Sequence, residues 1–119
     1  MRAPRQALGA EGEAAAAEAL RRAGYRVLEA NVRTPLGEID LLAEKEGILC
    51  FVEVKTRSSD AFGHPAEAVT PAKQQKMRKI AALLVQQRRW DGPCRFDVVA
   101  VTRGADGALA AEILPDAFQ

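Results

Sequence analysis

The sequence predicts an α/β domain with its elements in the order α-β-β-β-α-β-β and a central mixed sheet flanked by helices. Three observations predict it. Two stretches of helix-forming residues carry apolar side chains at helical spacing, and short segments rich in Val, Ile and Leu are separated by turn residues. A helix between the third and fourth strands allows a parallel, right-handed crossover, which leaves that part of the sheet covered on both faces. With 119 residues, 48% of them hydrophobic, the chain has material for one core. A single domain over residues 8–114 is expected, with tails at 1–7 and 115–119.

The first helix runs from about Leu8 to Ala23, rich in Ala, Glu, Leu and Arg, and Gly24 stands where a helix is capped at its C-terminal end. Tyr25–Val32, Glu38–Ala43 and Ile48–Thr56 read as three strands. The breaks at Thr34-Pro35-Leu36-Gly37 and Lys45-Glu46-Gly47 are turn-like, so these strands form an antiparallel meander. Ser58 to Pro65 reads as a loop. Thr70 is placed to N-cap a second helix that begins at Pro71 and runs to about Arg89. Asp91-Gly92-Pro93 ends that helix, Arg95–Thr102 is a nearly continuous apolar strand, and the turn at Gly104–Gly107 leads to a weak final strand near Ala110–Leu114.

Charge gives no global signal, with 17 Lys+Arg against 16 Asp+Glu, so any affinity for a polyanion must come from local clustering. Cys50 and Cys94 lie in apolar, strand-like runs and read as small, reduced core residues. A zinc site and a disulfide are not expected. The first residues hold no apolar signal region, and no apolar stretch approaches the roughly 20 residues that span a bilayer. The expected compartment is the cytoplasm, with no membrane partner.

The chemistry concentrates in Phe51-Val-Glu-Val-Lys-Thr-Arg57. Strand residues two apart share a face, so Glu53, Lys55 and Arg57 line up in a run that otherwise reads as buried. Burying such charges costs free energy unless they are paired or bind something. A lone Glu-x-Lys is also the pattern of a surface ion pair. In Gly37-Glu38-Ile39-Asp40, however, Glu38 and Asp40 share a face of the neighbouring strand, so carboxylates can converge across adjacent strands. Carboxylate oxygens are the hard ligands that Mg²⁺ prefers.

The helices add to this cluster. Glu13 falls one turn before Ala16 and Ala17 and two before Leu20, so it belongs to the stripe facing the sheet, whereas Glu11 and Glu18 fall on the solvated side. On the second helix Met77, Ile80, Ala81, Leu84 and Val85 form the core stripe. Lys73 continues it toward the N-terminus, where it either reaches the strand ends or snorkels to water. That helix also carries Lys76, Arg78, Lys79, Arg88 and Arg89 with no acid between Pro71 and Trp90. Arg57, Lys73, Lys76 and Lys79 are therefore candidate contacts to a nucleic-acid backbone. His64, alone in a Gly-His-Pro loop, is a weak candidate for metal or base chemistry. Arg95 and Asp97 share a strand face as a candidate buried ion pair, and Tyr25 and Trp90 read as packing residues.

Taken together, Gly12-Glu13, Gly24-Tyr25, Asn31, Gly37-Glu38-Ile39-Asp40-Leu41, Phe51-Val-Glu-Val-Lys-Thr-Arg57, Phe62-Gly63, Lys73 and Arg95-Phe96-Asp97-Val98-Val99 closely resemble the YraN-like bacterial family, over about Leu8 to Val101. That family is similar in pattern to the PD-(D/E)XK nuclease superfamily, and within it most resembles the archaeal Holliday junction resolvases. The resemblance implies a restriction-endonuclease-like three-layer fold and a Mg²⁺- (or Mn²⁺-) dependent endonuclease acting on DNA, with branched DNA as one substrate. It implies that Asp40 and Glu53 ligate the metal, that Lys55 orients or polarises the attacking water, and that Glu13 completes the acidic cluster. Ile39 stands where the motif's proline would be, and the chemistry needs only the carboxylate that follows it. A junction-resolving enzyme needs two active sites, hence a two-fold homodimer. Two other classes stay open: a non-catalytic nucleic-acid- or protein-binding module on the same fold, and a scaffold in which Glu13, Asp40, Glu53 and Lys55 form a satisfied charge network.

Overall fold

The computed structural model describes residues 4–58 and 69–119, with side chains described for 9–57 and 69–119. Ser58, expected to open a loop, instead ends the third strand, and the rest of that loop to Pro65, with His64 and the Phe62-Gly63 pair, lies outside the described residues. The elements are α1 (Pro4–Arg22), β1 (Arg26–Thr34), β2 (Gly37–Lys45), β3 (Ile48–Ser58), α2 (Pro71–Arg88), β4 (Cys94–Arg103) and β5 (Leu109–Phe118). This is the expected order.

The five strands lie side by side in chain order, with β3 and β4 parallel and every other pair antiparallel. A mixed sheet of this kind needs the α2 crossover to bring β4 beside β3 in the same direction. The sheet is the middle of three layers. On one face Ile39, Leu42, Leu49, Phe51 and Val98 pack against Met77, Ile80, Ala81 and Leu84 of α2. On the other Leu41, Ala43, Cys50, Val52, Val99 and Val101 pack against Ala16, Ala17 and Leu20 of α1. The continuous apolar run of β4 is thus explained, since Val98 to Val101 are covered from both sides.

Several boundaries move. Helix α1 starts at Pro4 and not Leu8, with a proline at the helix start, where its missing N–H costs nothing. The expected C-terminal tail at 115–119 is corrected to strand through Phe118, because Phe118 stacks on Phe96 with ring centroids 4.8 Å apart. Pro115 lies where the β4–β5 register shifts, between the pairs Phe96↔Phe118 and Val98↔Leu114, so the ladder loses no donor to it. Cys94 is exposed and not a core residue, because it opens β4 directly after Pro93, beyond the cover of the helices. Cys50 is buried as expected, its thiol pushed up to about 11 by burial and by the nearby Asp97 carboxylate. Both thiols are free.

Helix α2 begins as its sequence dictates. Thr70 has extended backbone angles and its hydroxyl accepts from the Lys73 N–H at 3.3 Å, with Pro71 at the first helical position. No helix among the described residues is long and apolar enough to cross a membrane.

Candidate metal and phosphodiester site

The site forms where β2 and β3 part. Their pairing runs from Lys45↔Ile48 to Leu41↔Val52 and the next residues outward are Asp40 and Glu53. There the Asp40 carboxylate accepts the Val54 N–H at 2.8 Å, so a side-chain oxygen does the work of a ladder carbonyl. Side-chain alternation along β2 also breaks at this point. Ile39 packs on the α2 side although Leu41, two residues on, packs on the α1 side. In β1 the pairs Ala30↔Leu41 and Val32↔Ile39 place Asn31 across from Asp40, and Asn31 has φ 53°, a left-handed conformation that asparagine tolerates better than most residues. The hairpin turns over at this pair, which frees Asp40 from the layer.

Glu53 projects to the α2 face, between Val52 and Val54, which pack toward α1. Its side chain is 8% exposed and meets two cations: Lys73 Nζ at 2.5 Å and Lys55 Nζ at 3.7 Å, both on Oε1. Lys73 therefore belongs to the carboxylate site, the alternative in which its stripe position takes it to the strand ends. Glu13 is half-buried on α1 and close enough to raise the Asp40 carboxyl electrostatically. Gly12 makes this approach possible: a Cβ there would lie 2.1 Å from the Thr56 hydroxyl oxygen, so only glycine lets α1 come this near β3.

The remaining candidates are spread around the cluster. Arg57 is half-buried two residues beyond Lys55 on β3. Lys76 and Lys79 are exposed on α2 and line an open groove with Leu36, Ala72 and Gln75. Glu38 is drawn away from the cluster into an exposed pair with Arg33 at 3.5 Å, since the break at Asp40 removes the shared face that regular alternation implies. Of the other basic residues of α2, Arg78 donates to the Gln119 carbonyl and Arg88 pairs with Glu29.

Electrostatics make Asp40 the unusual group. Burial first, and then the Glu53 charge, push its carboxyl up to about 7, against the opposing Val54 hydrogen bond. Burial and the adjacent Lys73 lower Lys55, whereas for Lys73 the lowering by burial is outweighed by its hydrogen bond to Glu53, its contact with Lys55 and the charges of Glu53 and Asp40 taken together, so that it is raised. Among the described residues no group of three or more His, Cys, Asp or Glu is arranged to hold a metal. Asp40 and Glu53 together offer an all-oxygen pair, matching in number and chemistry the one or two carboxylates by which Mg²⁺ is usually held, the rest of its shell being water and phosphate oxygen. Two carboxylates that repel each other, Glu53 buried and Asp40 half-buried, fit a divalent cation.

Sequence reasoning missed two groups. The Val54 N–H and the left-handed Asn31 both position Asp40, and of these only the asparagine left a trace, in the resemblance. It also understated Tyr25, whose hydroxyl donates to Asp97 Oδ2 at 2.8 Å. Arg95 makes two further bonds to Asp97, at 2.8 and 2.9 Å, and the Asp116 N–H adds one at 3.0 Å. Asp97 is fully buried, and these partners, Arg95 foremost, hold its carboxyl below the usual range despite burial. Trp90 packs against the α2-side core as expected.

Comparison with known proteins agrees with the motifs. The profile of the uncharacterised protein family UPF0102 matches residues 12–101. A UPF0102 protein of Symbiobacterium thermophilum is 49% identical over 112 residues, 93% of this chain and 95% of its own. One from Moorella thermoacetica is 46% identical over 116 residues, 96% of this chain and 97% of its own. Another, from Chlorobaculum parvum, is 51% identical over 108 residues, covering 88% and 81% respectively. The motifs, the three-layer fold and these matches agree: the chain belongs to the uncharacterised protein family UPF0102, the YraN-like group.

Proposed function

We propose that this protein is a divalent-metal-dependent endonuclease that hydrolyses DNA phosphodiesters. The observation that carries the reading is the pairing of Asp40 and Glu53 at the parting of β2 and β3, with Lys55 and Lys73 on the same carboxylate. A satisfied structural network would not leave a carboxyl raised to about 7 by burial and, after it, by a second carboxylate.

Asp40 and Glu53 would hold Mg²⁺ or Mn²⁺, which when bound supplies charge neutralisation at the phosphoryl oxygens and acidifies a water. Glu13, on α1, completes the acidic cluster and acts on Asp40 through its charge. Lys55, lowered by burial and by Lys73, orients the attacking water and sheds its proton more readily than an exposed lysine. Arg57, Lys76 and Lys79 follow the DNA backbone on either side of the cluster. Cutting two strands of a branched DNA requires two such sites, and for that substrate the protein acts as a homodimer.

The test is incubation of the purified protein with Mg²⁺ or Mn²⁺ and a panel of branched, duplex and single-stranded DNAs. Cleavage of at least one member is expected, abolished in Asp40→Ala and in Glu53→Ala while DNA binding survives. Unchanged cleavage in Asp40→Ala would place the chemistry elsewhere. The two lysines on Glu53 favour one second reading, a binding module that neutralises its own acid. That reading expects DNA affinity indifferent to divalent ions.

A further inference from the structure

We infer that Lys73 is a displaceable counter-cation for Glu53 that couples entry of the divalent metal to binding of a phosphodiester. The inference rests on the nuclease reading and deepens it, by giving the site an order of assembly.

The first ground is local and concerns α2 itself. In a helix capped by threonine the third helical position favours Glu or Gln, whose side chain reaches back to the cap. Here Thr70 caps, the third position is Lys73, and the first turn holds no acid. A lysine at that end also opposes the helix dipole. A residue that breaks two local rules at once points to a role outside the helix.

The second ground is geometric. Lys73 Nζ lies 2.5 Å from the same Glu53 oxygen that Lys55 approaches at 3.7 Å. A divalent ion taking that oxygen meets the Lys73 ammonium at contact distance, and the two cations repel. One of the three groups must move. The Glu53 side chain is 8% exposed and held in the sheet, whereas that of Lys73 is 37% exposed on a flexible four-carbon stem. Lys73 moves, and an incoming phosphate is the anion that receives it. The phosphate thereby vacates the oxygen that the metal needs. By linkage, metal and DNA then tighten each other's binding by one and the same factor.

The experiment is Mn²⁺ binding followed by the electron spin resonance signal of the free ion. It is done with and without a short phosphorothioate oligonucleotide that resists cleavage, on the wild type, Lys73→Met and Lys73→Arg. Without oligonucleotide, Lys73→Met is expected to bind Mn²⁺ about tenfold more tightly than the wild type. The oligonucleotide should tighten Mn²⁺ binding in the wild type and in Lys73→Arg, and by a smaller factor in Lys73→Met. Lys73→Gln repeats the measurement should the methionine disturb the fold. Equal Mn²⁺ affinity of wild type and Lys73→Met, with binding present in both, overturns the inference and leaves the nuclease reading standing. No Mn²⁺ binding by any of the proteins, with or without oligonucleotide, overturns both.

Discussion

Asp40 meets opposing demands from its surroundings, since the Val54 N–H favours its ionised form while burial and Glu53 disfavour it. The balance has a consequence for pH. Unfolded, the group releases its proton near 3.8; folded, it keeps it up to about 7. Between those values the folded state binds more protons, so stability falls as pH rises. The thermal midpoint of the metal-free protein should therefore decline from about pH 4 to about pH 7 more steeply than that of Asp40→Asn. Parallel curves for the two proteins would contradict the raised carboxyl. At this scale the sequence is half legible. Glu53 and Lys55 come together because a strand has a period of two, and Glu13 because a helix has one of 3.6. The release of Asp40 from its layer depends on a left-handed residue in the neighbouring strand, which no period encodes.

Between elements, the contact that matters most to the site is that of α1 with β3 at Gly12. The Thr56 hydroxyl fills the space where a side chain would begin, and the Thr56 Cβ is 3.3 Å from the same point. Gly12→Ala should destabilise the protein by about 1–3 kcal/mol, the usual cost of overpacking. Combining it with Thr56→Ala should recover part of that loss, as chemical denaturation of the four proteins in the cycle would show. Exact additivity would mean that the helix does not approach here. Helix and strand types were legible throughout, since cap, proline and apolar stripe agree in α2. The end of β5 was not, because its extension depends on the stacking of Phe118 on Phe96 and on a bulge that absorbs Pro115, neither of which is local in sequence.

Across the whole molecule, the site and its support are separate clusters. Asp97 gathers Arg95 from its own strand, Tyr25 from the connection between α1 and β1 and the Asp116 N–H from β5, so one buried carboxylate joins that connection to the last strand. Removing it strands the Arg95 guanidinium, whose side chain is 21% exposed. Asp97→Ala should cost about 3–5 kcal/mol in urea unfolding. It should leave Mn²⁺ affinity at Asp40 and Glu53 unchanged in the fraction that folds; a loss of metal affinity matched to the loss of stability would show that the clusters are one unit.

The bends in the outer strands carry a further consequence, for how copies of this chain meet. A straight border strand offers its unpaired amides to any passing strand, and sheets grow by such additions. Here β1 is interrupted by a register shift near Leu28 and by left-handed Asn31, and β5 by the bulge that contains Pro115 and left-handed Asp116. Each border of the described sheet is thereby cut short, β5 running in unbroken register only from Leu109 to Leu114, so that a second sheet could pair with it along no more than part of its length.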